Sequence, residues 1–195
     1  MKKRSIHFFF AILVSAILAS CGGQNKQEDP KDVAEEQNED KADATGTDRE
    51  DDNDFAVEAA DGGMMEVELG RLAAQKASSA EVKKFAQMMV DDHSKANDEL
   101  KALASQKSIS LPAAISEDHQ KKLKDFQEKS GADFDKDYMD FMVNDHEEDI
   151  KTFEKQAENG QDAELKSWAA GKVATLRHHL EMAKATQEVV KNQKN

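Results

Sequence analysis

A single cysteine, Cys21, stands in 195 residues, alongside only two prolines, one tyrosine and one tryptophan. One thiol near the start permits no internal disulfide and leaves the rest of the chain no cysteine nucleophile. Any folded part must therefore rest on its apolar core. Aromatic residues make up only 6 % of the chain. Alternating β-branched runs are missing, and so is any Asn-Gly or Asp-Gly turn joining two such runs, which argues against strands and hairpins. Positive charge is scarce too: 27 Lys and Arg face 40 Asp and Glu, a net charge of −13. No basic stripe is present, so nucleic-acid binding is not expected.

The one cysteine has a context. Lys2, Lys3 and Arg4 precede an apolar run, Phe8 to Leu18, about eleven residues long. That is too short to span a bilayer and fits the h-region of a signal peptide. The run ends in Leu18-Ala19-Ser20-Cys21, which resembles a bacterial lipobox. The expectation is a signal peptide over 1–20, cleavage before Cys21, and lipid on that thiol. The mature chain would then be anchored to a membrane of the bacterial cell envelope, at the outer membrane or facing the periplasm, with the cell surface also open. Residues 22–54 hold thirteen acids against four bases, and Val33 is their only large aliphatic side chain. Such a stretch buries too little apolar surface to offset its ordering entropy, which points to a disordered acidic tether over 21–54. The competing reading is a helix, because Glu and Ala favour one.

From Phe55 onward the pattern is helical. Apolar residues recur at helical spacing, as in Val82, Phe85, Met89, Ala96 and Leu100, or Tyr138, Met142, Ile150 and Phe153. Ser78-x-x-Glu81 reads as a capping box, Gly131 and Gly160 as helix stops, and Asp133 or Asp135 and Asp162 as the following N-caps. These signals predict helix A at about 55–77, B at 80–107, a short helix at 115–129, C at 134–158 and D at 162–191. Short connections between long amphipathic helices imply an all-α, antiparallel four-helix bundle over 55–195, with the short helix inside the long B–C connection.

Two segments share a frame: "QMMVDDHSKA", Gln87–Ala96, and "DFMVNDHEED", Asp140–Asp149. His93 falls four residues after Met89. His146 falls four after Met142, and His179 falls three after Leu176. All three interrupt apolar stripes near the middle of their helices, so three imidazoles should meet at one level. Helix A can add Glu66 there, among Gly62, Gly63, Gly70 and Ala73; Glu68 is the neighbouring alternative. Three histidines and one carboxylate form a candidate transition-metal set, for Zn, Cu or Fe. The other reading is a core of histidines satisfied by hydrogen bonds alone. Asp92 and Asp145 adjoin their histidines in sequence and cannot share a face with them, so solvation or a neighbouring helix awaits them. His178 is expected at the surface or rim, and His119 in a structural role.

The segments "GGMMEVELGRLAAQKASSAEVKKFAQMMVDDHSKANDELK", "FDKDYMDFMVNDHEEDIKTFEKQA" and "LKSWAAGKVATLRHHLEMA" resemble a ferritin-like, four-helix domain-of-unknown-function family of exported bacterial proteins. The resemblance spans most of 55–190. It implies an all-α ferritin-like bundle, often carried on lipoproteins, and brings no established activity. Di-iron sites of ferritin-like proteins use Glu-x-x-His, whereas Val90 and Val143 stand three residues before His93 and His146. Ferroxidase or oxygenase chemistry is therefore not inherited with the fold. No phosphate loop or Ser/His/Asp frame is present either, so an enzyme ranks below two other readings. One is an envelope lipoprotein that binds a metal through mid-bundle His and Glu. The other is a structural or stress-related interaction lipoprotein whose polar core sets helix register.

Overall fold

The computed structural model describes residues 28–45 and 49–193, and the described residues are all-helical. Six helices follow in order: α1 Pro30–Thr45, α2 Glu50–Lys76, α3 Ala80–Lys107, α4 Glu117–Glu128, α5 Gly131–Asn159 and α6 Ala163–Gln193. The expected helices A, B, C and D are α2, α3, α5 and α6. The signal segment and Cys21 lie outside the described residues. No helix among those described is long and apolar enough to cross a membrane.

Two helix pairs carry most of the packing, α2 with α3 and α5 with α6. The pairs meet through α3–α6 and α2–α5 contacts, and α4 lies against α2. Gly70 on α2 permits the first pairing. A Cβ there would come within 3.1 Å of the Ala86 carbonyl oxygen and 3.0 Å of Val90 Cγ2. One apolar cluster gathers Leu69, Phe85, Met89, Phe134, Tyr138 and Met142. Others gather Phe55, Phe153 and Leu176, and Ala60, Leu100 and Leu165. On α3 and α5, His93 and His146 fall between residues of the first cluster and residues of the others. A polar layer thus interrupts the core.

Within the stretch expected as a disordered tether, residues Pro30–Thr45 form helix α1. Helix α1 packs on α2, and α2 itself begins at Glu50 rather than near Phe55. Few apolar groups are involved, Ala34 foremost. The order comes instead from polar pairing with the loop before α4. Buried Asn38 donates from Nδ2 to the Ser110 carbonyl at 2.9 Å and accepts the Ser110 N–H at 2.7 Å. Lys41 Nζ reaches the Ser108 carbonyl at 2.8 Å. Asp29 accepts the Glu117 N–H at 2.8 Å. Apolar content, the basis of the sequence argument, does not register such bonds.

Helix starts show a second departure. Ser78 does not cap α3. Instead Asp135, expected as a cap of its own helix, accepts the Ser78 and Ser79 N–H groups at 2.9 and 2.8 Å from α5. Buried Asp52 on α2 likewise accepts the Asp162 N–H at 2.6 Å. Asp162 does cap α6, accepting the Glu164 and Leu165 N–H groups at 3.0 Å. Orphan N–H groups at a helix start need acceptors, and a carboxylate from a neighbouring helix satisfies them while joining the two elements.

Candidate metal centre

His93 on α3, His146 on α5 and His179 on α6 meet in the polar layer. Their ring centroids lie 5.6 Å (His93–His146), 5.2 Å (His93–His179) and 5.4 Å (His146–His179) apart. One ring nitrogen from each falls within 4.8 Å of the other two. All three side chains are buried, His146 completely. Helical spacing put each imidazole on the inward stripe, and the similar heights of the three helices brought them to one level.

Each ring has one nitrogen occupied by a neighbour outside the trio. His93 Nδ1 lies 2.6 Å from Glu66 Oε2. His146 Nδ1 lies 3.0 Å from the Met142 carbonyl oxygen, one turn earlier on α5. His179 Nε2 lies 2.9 Å from Asp92 Oδ2. An acceptor at one nitrogen holds the proton there and leaves the other nitrogen a lone pair. The nitrogens left open are His93 Nε2, His146 Nε2 and His179 Nδ1. The last two face each other at 3.3 Å. His93 Nε2 is buried without a hydrogen-bond partner among the described residues.

The protonation pattern suits ligands. Burial pushes the His93 and His179 imidazoles down to about 4 and His146 down to about 3. For His146 the neighbouring histidines add to the effect of burial. All three rings are neutral at pH 7, the form that coordinates a metal. Burial also pushes the Glu66 carboxyl up to about 8, against the effect of a hydrogen bond with Asp145. Asp145 is raised well above the carboxylate range by burial and by the charge of Glu66. Among the described residues Glu66 Oε1 accepts no ordinary hydrogen bond, although His146 Nδ1 stands 3.6 Å from it. Burial thus disfavours charge on both carboxyls of this pair, and a proton held between Glu66 and Asp145 lets one donate to the other.

A cavity of about 140 Å³ opens beside the trio, with Glu66, His93 and His179 in its wall. Gly62 also lines it, and a Cβ built there would meet nothing within 4 Å.

Of the sequence candidates, Glu66, His93, His146 and His179 come together. Asp92 and Asp145 join them as partners of His179 and Glu66. Glu68 and His178 are exposed and stay outside. His119 Nδ1 lies 2.9 Å from Asp61 Oδ2, joining α4 to α2. Sequence reasoning missed Asp149, which lines the cavity and whose carboxyl burial raises well above its usual range. Its signal was available, since Asp149 stands three residues after His146 on the same helix. The Met142 carbonyl carried none, because backbone acceptors are invisible in a side-chain pattern.

Residues 36–186 match the family described as Domain of unknown function (DUF4142). The match covers most of the chain, and the chain belongs to that family. It begins within α1, six residues after the helix starts. No curated protein and no solved structure matches the chain.

Proposed function

We propose that this chain is an envelope lipoprotein whose ferritin-like four-helix bundle, α2, α3, α5 and α6, binds a divalent transition metal through His93, His146 and His179. Helix direction supports the bundle. Along α3 and α5 the chain leaves the cluster around Tyr138 and heads for the other end, and along α2 and α6 it runs back. Such a layout places the long connection, with α4, between two parallel helices.

The observation that carries the metal reading is the division of labour on each ring. One nitrogen of each ring is held by an acceptor and the other is left open, one ring nitrogen from each lies within 4.8 Å of the other two, and His93 Nε2 is buried with no partner among the described residues. Metal-bound histidines have this outer support, which fixes the tautomer. Three imidazoles suit Zn, Cu or Fe. The test is metal analysis of the full-length chain purified without chelator, followed by titration with Zn(II) and Co(II). One equivalent bound, and none bound by His146→Ala, is expected. Absence of binding by the wild type leaves the second reading.

That second reading rests on the 3.3 Å contact between His146 Nε2 and His179 Nδ1. A proton shared there, beyond the one each ring already holds at its outer nitrogen, would make the pair cationic beside Asp92 and give a register-setting polar core without metal. It leaves His93 Nε2 unsatisfied, which the metal reading does not.

A further inference from the structure

We infer that the metal of this centre keeps one coordination position open to the neighbouring cavity, and that this position takes a small, exchangeable anion. The inference rests on the metal reading above and concerns what that metal would do.

Three observations lead to it. First, the trio is lopsided. His93 and His179 stand in the wall of the cavity, whereas His146 is fully buried behind them. The protein thus supplies ligands from three helices, and the side facing the cavity has space in place of a fourth ligand. Three protein ligands with an open fourth position are the arrangement of reactive zinc sites, and closed sets of four that of structural ones. Secondly, the space has a usable size. At about 140 Å³ it matches cavities that hold a ligand of about six non-hydrogen atoms. Polar groups to orient one are present, among them Asn97 and Thr175. Thirdly, charge favours an anion. Three neutral imidazoles leave a divalent ion's charge uncompensated; Glu66 and Asp92 are engaged through histidine nitrogens, and the remaining acids of the cavity wall, Glu58 and Asp149, are matched in number by Lys95 and Lys172 in the same wall. Inside a low-dielectric site that residual charge attracts small anions strongly.

Gly62 makes the idea testable, because it lines the cavity and a Cβ built there meets nothing within 4 Å, which leaves a larger side chain room to extend into that space. Leucine is also a better helix former than glycine. The experiment loads the full-length chain with Co(II) and titrates sodium azide while recording the visible d–d bands. The expected result is a saturable shift in the wild type. In Gly62→Leu, Co(II) loading should be unchanged and the azide dissociation constant at least about tenfold higher. Thr175→Trp fills the cavity from α6 and should give the same outcome, which covers any failure of Gly62→Leu to fold. Co(II) bound without an azide response would overturn the open position while leaving the metal reading intact. An undiminished response in both filled variants would also overturn it. Failure of the wild type to load Co(II), the result that sinks the metal reading itself, removes this inference with it.

Discussion

Glu66 Oε2 and His93 Nδ1 lie 2.6 Å apart across the α2–α3 pairing, both side chains almost wholly inaccessible to water. An acceptor oxygen there holds the His93 proton on Nδ1 and leaves Nε2 a lone pair. Removing that acceptor should loosen the ligand without removing it. Glu66→Gln is expected to weaken metal affinity by about 10- to 100-fold, measured by competition against a chromophoric chelator. An unchanged affinity would separate Glu66 from the centre.

Metal and folding should be linked. A ligand that binds only the native state adds RT ln(1 + [L]/Kd), about 2.7 kcal/mol at a hundredfold excess over Kd. Zn(II) is therefore expected to raise the melting temperature of the wild type. His93→Ala and His146→Ala should abolish the rise, while His119→Ala and His178→Ala should retain it. A rise that survives in His146→Ala would place the metal elsewhere.

Helix α1 should contribute to stability. Asn38 is 4 % exposed and bonds both backbone groups of Ser110. Asn38→Ala leaves both part-buried backbone groups of Ser110 without this partner and should cost about 1 kcal/mol or more, read by urea denaturation. Deleting residues 22–45 should lower the melting temperature by several degrees or more. No change in either would mean that α1 is only loosely held.

Asp61 gives a pH dependence away from the centre. Burial raises its carboxyl, but hydrogen bonds from His119 and the Ser116 N–H outweigh burial and hold it below 3.8. A depressed carboxylate contributes stability that is present above its unfolded value and lost as pH falls through the folded one. The slope approaches about 1.4 kcal/mol per pH unit for one proton. Wild type should therefore lose stability below about pH 4 more steeply than Asp61→Asn. Parallel acid-denaturation curves for the two proteins would contradict the assignment.

Anchoring should depend on Cys21 alone. In cells, Cys21→Ser is expected to block lipid attachment and to leave the processed membrane fraction. Normal processing and membrane association of that variant would remove the lipoprotein reading.

The inward placement of His93, His146 and His179 was legible in sequence, because a 3.6-residue period assigns each residue a face whatever its neighbours are. The same period located α2 to α6 and marked Glu66 as the carboxylate of helix A. What each imidazole bonds to was not legible. Asp92 cannot share a face with His93, yet it reaches His179 on another helix, and only the α3–α6 approach decides that. The support of His146 by the Met142 carbonyl belongs to the backbone, which leaves no mark in residue type. Helix α1 escaped for a related reason: its order comes from Asn38 and Lys41 meeting the Ser108–Ser110 loop, and such pairing depends on distance in space rather than on local apolar content. Periodicity is a local property and survives in the bare sequence, whereas the cavity beside the histidines and the acceptors behind them exist only once the helices are packed.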